Sequence, residues 1–123
     1  MRKCLGMVLG TLFVSLALCM TPVRTQAQDI VKVAPNNCKV LLDNDQVRVI
    51  DFRSKPGDKI PLHSHPAYFT YQISGGGTTT FTSADGKKTV QKNVAGHAVW
   101  HPAESHSSVS SAAIHVLIVE LKK

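Results

Sequence analysis

Only three of the 123 residues are cysteine. Two of them, Cys4 and Cys19, fall in an N-terminal stretch that reads as a secretory signal. Cys38 is then alone, so the mature chain has no internal disulfide. A buried thiol is expected there, because cysteine packs as a small hydrophobe. Long apolar runs are equally scarce. The one from Leu5 to Met20 is too short for a comfortable transmembrane helix. Arg2 and Lys3 precede it, and the small-residue site Thr25-Gln26-Ala27 follows it, which is the layout of a signal peptide covering residues 1–27. The mature chain is expected to begin at Gln28 and to be exported, periplasmic or secreted, with no membrane association after cleavage.

Basic clusters are missing too. The full chain has 14 Lys and Arg against 8 Asp and Glu, net +6. Arg2, Lys3 and Arg24 leave with the signal, so 11 basic and 8 acidic residues remain, net +3. Apart from Lys87-Lys88 and Lys122-Lys123 no basic run survives. Nucleic-acid binding needs a clustered basic face, so no nucleic-acid partner is expected. Gly75-Gly76-Gly77 lacks the helix and lysine of a phosphate-binding loop. There is no Ser-His-Asp set at recognisable spacing. No stretch after the signal has helical periodicity of useful length.

What remains is a series of short β-branched runs between turn residues. Residues 28–37 read as an extended or loose N-terminal arm. Strands are expected over Cys38–Leu42, Val47–Phe52, Ile60–His65 and Phe69–Ile73. A hairpin over residues 78–91 should turn at Ala84-Asp85-Gly86. Further strands are expected over Ala98–Trp100 and Ile114–Leu121, with a turn at Pro102–Ser105. Strands at this spacing indicate a sandwich or barrel.

Two stretches carry chemistry. In Gly57–Gly77, His63 and His65 sit one residue apart at the end of an extended run. Strand side chains repeat with period two, so both imidazoles share a face, about 7 Å apart along the chain. In Gly96–Ser110, His106 follows a proline turn. Together they resemble the two motifs of the cupin superfamily. Gly57, five residues and His63-Ser64-His65 match the start of the first motif. Gly96, Pro102 and His106 match the second, with Ser110 where the family has Asn. The resemblance covers roughly residues 38–121. It departs at the first motif's Glu, whose place falls at Tyr68, Phe69 or Thr70.

The resemblance implies an all-β fold, a double-stranded β-helix or jelly-roll barrel over residues 38–123. It implies a divalent transition metal (Zn, Fe, Cu, Ni or Mn) on His63, His65 and His106, with open positions for a ligand. Three imidazoles leave the ion's charge uncompensated, so a small, anionic ligand is expected. Tyr68, Thr70 and Gln72 alternate with Phe69, Tyr71 and Ile73 along one strand. One set should line the site and the other should pack between the sheets. Tyr68, Thr70, Gln72 and Trp100 are the candidate ligand contacts. His101 reads as a surface turn histidine, and Glu104 as an exposed turn residue. A metal-dependent enzyme of dioxygenase, isomerase or decarboxylase type is a second possibility, and a metal-free ligand-binding or sensing module a third. Cupins often bury further strands in a dimer, so a homodimer is expected.

Overall fold

β-branched runs broken by Gly, Pro and Asx turns fold as short strands. In the computed structural model, which describes residues 28–123, they run in chain order as β1 (Gln28–Asp29), β2 (Cys38–Asp43), β3 (Val47–Ser54), β4 (Lys59–His65), β5 (Tyr68–Gly75), β6 (Thr78–Ser83), β7 (Lys88–Lys92), β8 (Ala98–His101), β9 (Glu104–Ser110) and β10 (Ile114–Leu121). One helical turn, α1 (Ile30–Val33), lies between β1 and β2. The signal-peptide reading of residues 1–27 lies outside the described residues.

The strands form two five-stranded sheets, ordered β1-β4-β9-β6-β7 and β2-β3-β10-β5-β8. Every pairing is antiparallel except that of β1 with β4. The chain crosses between sheets after β5, at Gly75-Gly76-Gly77. Gly75 has φ +97°, and an added Cβ there would collide with the backbone carbonyl of Ala113. Only glycine fits such a position without strain.

Both sheets turn side chains onto one interior. Ile60 comes from the first sheet; Ile50, Phe52, Ile114, Val116 and Ile118 come from the second. Along β10 the burial alternates, so Ile114, Val116, Ile118 and Glu120 all point inward. Ile50 is 0% exposed; full burial of such a side chain contributes about 1.5–3 kcal/mol. Among the described residues no helix is long and apolar enough to cross a membrane.

Three expectations are corrected. Residues 28–37 are not a loose arm. Gln28 and Asp29 pair with His63 and Ser64 of β4. Ile30, which opens α1, and Ala34, which follows it as C-cap, are buried in the core. The Asp29 side chain caps the turn, accepting from Val31 N at 2.8 Å. Residues 104–110 form a full strand, although Glu-Ser-His-Ser-Ser-Val-Ser has little strand propensity. Pairing with β4 on one edge and β6 on the other supplies what composition does not. Phe69, Tyr71 and Ile73 do not pack between the sheets. A two-sheet barrel has one interior, and β5 presents Tyr68, Thr70 and Gln72 to it. Tyr71 and Ile73 are accordingly exposed on the outer face.

Cys38 is half-buried against the core. Burial, with Asp29 nearby, pushes its thiol up to about 11, which keeps it protonated.

Candidate metal centre

The His63–x–His65 spacing on β4 puts both imidazoles on the inner face, as period two requires. β9 lies antiparallel beside β4, with His106 directly opposite His63. All three side chains are buried. Ring centroids lie 4.8 Å apart for His63–His65 and His63–His106, and 5.4 Å for His65–His106.

Each imidazole has its Nδ1 facing an oxygen. His63 Nδ1 lies 2.7 Å from the Pro61 carbonyl. His65 Nδ1 lies 2.7 Å from Glu120 Oε1, and His106 Nδ1 3.3 Å from Glu104 Oε1. The Pro61 carbonyl and the Glu120 carboxylate only accept, so Nδ1 of His63 and of His65 carries a proton, while His106 and Glu104 are in contact without a hydrogen bond. Burial pushes the His63 imidazole down to about 4, against the pull of the Pro61 carbonyl. It pushes His106 down to about 3, helped by His63, His65 and His101. Both rings are therefore neutral near pH 7, the form a metal needs.

The residues fit an ion. Their ligating atoms all lie within 4.8 Å of one another. Bonds of about 2.1 Å at tetrahedral angles hold two donors about 3.4 Å apart, so the set draws in by up to about 1.4 Å around an ion. Three buried histidines are thus placed to bind a metal ion. Neutral imidazoles suit Zn, Fe, Cu and Ni, and three protein ligands leave open positions.

Tyr68 occupies the wall beside them. Its ring stacks on His65 (centroids 4.4 Å, 29° between planes) and on His101 (4.5 Å, 7°). Its hydroxyl donates to Glu104 Oε1 at 2.6 Å. Burial first, then Glu104, pushes the phenol pKa far up, so the proton stays on the Tyr68 oxygen. Thr70 and Gln72 continue the lining. Thr70 Oγ1 lies 3.5 Å from His101 Nε2, and the Gln72 amide donates to Ser74 O at 2.7 Å.

The cavity holds about 60 Å³. One wall is apolar, with Phe52, Val116 and Ile118. Another is polar, where the Thr79 hydroxyl contacts Asn93 Oδ1 at 3.1 Å and Ser110 Oγ at 2.8 Å. Beyond the rings lies a vestibule of about 190 Å³, with Lys87 and Glu104 among its walls.

Trp100 does not join this lining. It is 60% exposed, because His101, its neighbour on β8, takes the inward place and parity turns Trp100 outward. His101 and Glu104, read as surface turn residues, belong at the site instead. His101 Nδ1 lies 3.4 Å from Glu104 Oε1, and burial holds its imidazole below the usual value. Glu120 was not foreseen at all. Its signal was its phase: it follows Ile114, Val116 and Ile118 at period two, and a carboxylate on a core face needs a buried partner.

No family model and no curated protein sequence matches the chain. Solved structures do. A cupin domain from Bordetella pertussis Tohama I is 21% identical, with a TM-score of 0.62, over 70% of this chain and 92% of that one. A cupin superfamily protein from Desulfitobacterium hafniense is 17% identical, with a TM-score of 0.55, over 70% of this chain and 76% of its own. The DMSP lyase DddQ from Ruegeria pomeroyi is 18% identical, with a TM-score of 0.53, over 70% of this chain but only 46% of the lyase. At such identity the likeness speaks to architecture, and it agrees with the sheet order and strand register: this chain has the cupin fold, a jelly-roll barrel closed from two five-stranded sheets.

Proposed function

We propose that this is an exported cupin that holds a divalent transition metal on His63, His65 and His106 and takes a small, anionic ligand on that ion. One observation carries the reading: three buried imidazoles converge, two of them with Nδ1 hydrogen-bonded to an oxygen. A bound ion would act as a Lewis acid on a ligand oxygen or, if redox-active, activate oxygen. The cavity of about 60 Å³ is small beside the ~300–1,000 Å³ of pockets for drug-sized ligands. That size favours a ligand of few heavy atoms, such as a short carboxylate. Export rests on the sequence pattern before Gln28.

The enzyme reading draws support from Tyr68 and Glu104. A phenol hydrogen-bonded to a carboxylate, beside His65 and His106, is a placed pair of polar groups for orienting a substrate. The homodimer draws support from the outer face of the second sheet. Leu42, Val49, Val119, Phe69 and Trp100 stand opposite one another in register across all five strands. An apolar row spanning a whole sheet suits a second copy.

Calorimetric titration of zinc into chelator-stripped protein tests the metal reading. One site is expected in the wild type and none in His63→Ala, His65→Ala or His106→Ala, each with an unchanged far-ultraviolet spectrum. No binding by the wild type, or equal binding by all four proteins, refutes it.

A further inference from the structure

Glu120 is 2% exposed and lies on the core face of β10. A carboxylate in that place is costly unless both its oxygens are engaged. Glu120 Oε2 accepts from Arg48 Nε and Nη2, each at 2.7 Å. Oε1 turns the other way and accepts from His65 Nδ1 at 2.7 Å. Arg48 stands opposite Glu120 in the β3–β10 register. Its Nη1 continues the chain to Asp29 Oδ2 at 2.6 Å. Asp29 is fixed in turn, because its Oδ1 caps α1. A continuous path therefore runs from the first helical turn, through a guanidinium and a carboxylate, to one imidazole of the candidate metal centre.

We infer that Glu120, held by Arg48 and Asp29, is a positioning residue for the metal centre: it fixes the tautomer and orientation of His65 and supplies, through that ring, the negative charge that the first motif lacks. The inference rests on the metal reading proposed above.

Two features separate this arrangement from an ordinary core ion pair. An ion pair alone would be served by both carboxylate oxygens on the guanidinium, the favoured bidentate form. Here one oxygen is given to the imidazole. The Arg48 guanidinium is also shared between Asp29 and Glu120, so it does not belong to Glu120 alone. Glu104 lies 3.3 Å from His106 Nδ1 but makes no such hydrogen bond, its Oε1 accepting from Tyr68 instead. His65 alone is thus backed by a hydrogen-bonded carboxylate, and His63 by the Pro61 carbonyl. Such outer partners raise the basicity of a ligating ring, and losing one costs about 10–100-fold in metal affinity.

Cobalt(II) is the probe, because its visible bands report the coordination around it. Chelator-stripped wild type, Glu120→Gln, Glu120→Ala and Ile50→Val are titrated with cobalt and followed by absorbance. Glutamine can still accept from His65 but carries no charge. Glu120→Gln is expected to bind cobalt about tenfold more weakly with its bands in place. Glu120→Ala should fall further, towards about a hundredfold, with altered bands. Ile50→Val trims the core away from the site; it should lower the urea midpoint and leave cobalt affinity unchanged. If Glu120→Ala fails to fold with Arg48 unpaired, Glu120→Gln decides. Wild-type affinity in a folded Glu120→Gln overturns the inference and leaves the metal reading standing. So does equal weakening by Ile50→Val, which would mark a general loss of stability. No cobalt binding by the wild type overturns both.

Discussion

Lowering the pH of the metal-free protein should destabilise it well before its carboxylates are protonated. In the unfolded chain both imidazoles titrate near the ordinary value of about 6.5. In the fold, burial holds His63 at about 4 and His106 at about 3. Both shifts are downward, so the native state binds fewer protons than the unfolded state between these values. The stability they contribute is complete above about pH 6.5 and is lost as the pH falls towards the folded values. At pH 5 each unfolded imidazole lies about 1.5 units below its pKa, while each folded one is still neutral. At 1.36 kcal/mol per unit that is about 2 kcal/mol per ring, or about 4 kcal/mol for the pair. At pH 5 the figure depends on the unfolded value far more than on where the folded values lie. His101, also pushed down by burial, adds in the same direction. A domain of this size has a total stability of about 5–15 kcal/mol, so the loss is a large part of the whole. Urea unfolding with chelator present, followed by far-ultraviolet circular dichroism at pH 7 and pH 5, measures it. The His63→Gln/His106→Gln double variant should lose most of the pH dependence. An equal wild-type midpoint at the two pH values would refute the reasoning.

Gly75→Ala should destabilise the fold by at least about 1–3 kcal/mol, the range for a residue forced into an unfavourable backbone region, with the clash at Ala113 added. Gly76→Ala, with nothing within 4 Å of its added Cβ, is the control, and equal urea midpoints for the two would contradict the account of the crossover. Val119→Asp, at the centre of the apolar row on the outer face, should turn a dimer into a monomer by sedimentation while leaving zinc binding unchanged; a wild type that already sediments as a monomer would end the dimer proposal. The intact mass of the exported protein should correspond to a chain starting at or near Gln28, and a full-length mass would exclude signal cleavage.

Much of the barrel was legible because its strands carry local signals. The Asp85-Gly86 turn marked the β6–β7 hairpin, and Ile114–Leu121 matched β10 at both ends. The pairing of His63 and His65 was legible from spacing, since period two fixes it, while His106 came from the resemblance of the second stretch to the cupin motif. β9 was not legible, because a Ser- and His-rich strand owes its conformation to neighbours on both edges. The inward face of β5 was also open, as each parity set contains an aromatic residue. Packing decides it: Tyr68 fits between His65 and His101, while Tyr71 is left outside. Glu104, Glu120 and Arg48 escaped for one reason. Each acts through a partner distant in sequence, and Glu120 pairs with His65 across 55 positions and with Arg48 across 72.

Elemental analysis of the protein, purified without a histidine tag from its native compartment, counts the metal it carries. The account predicts about one equivalent of a divalent transition metal in the wild type and essentially none in His63→Ala, His65→Ala or His106→Ala. A metal-free wild type, or the same metal content in all four proteins, would contradict it.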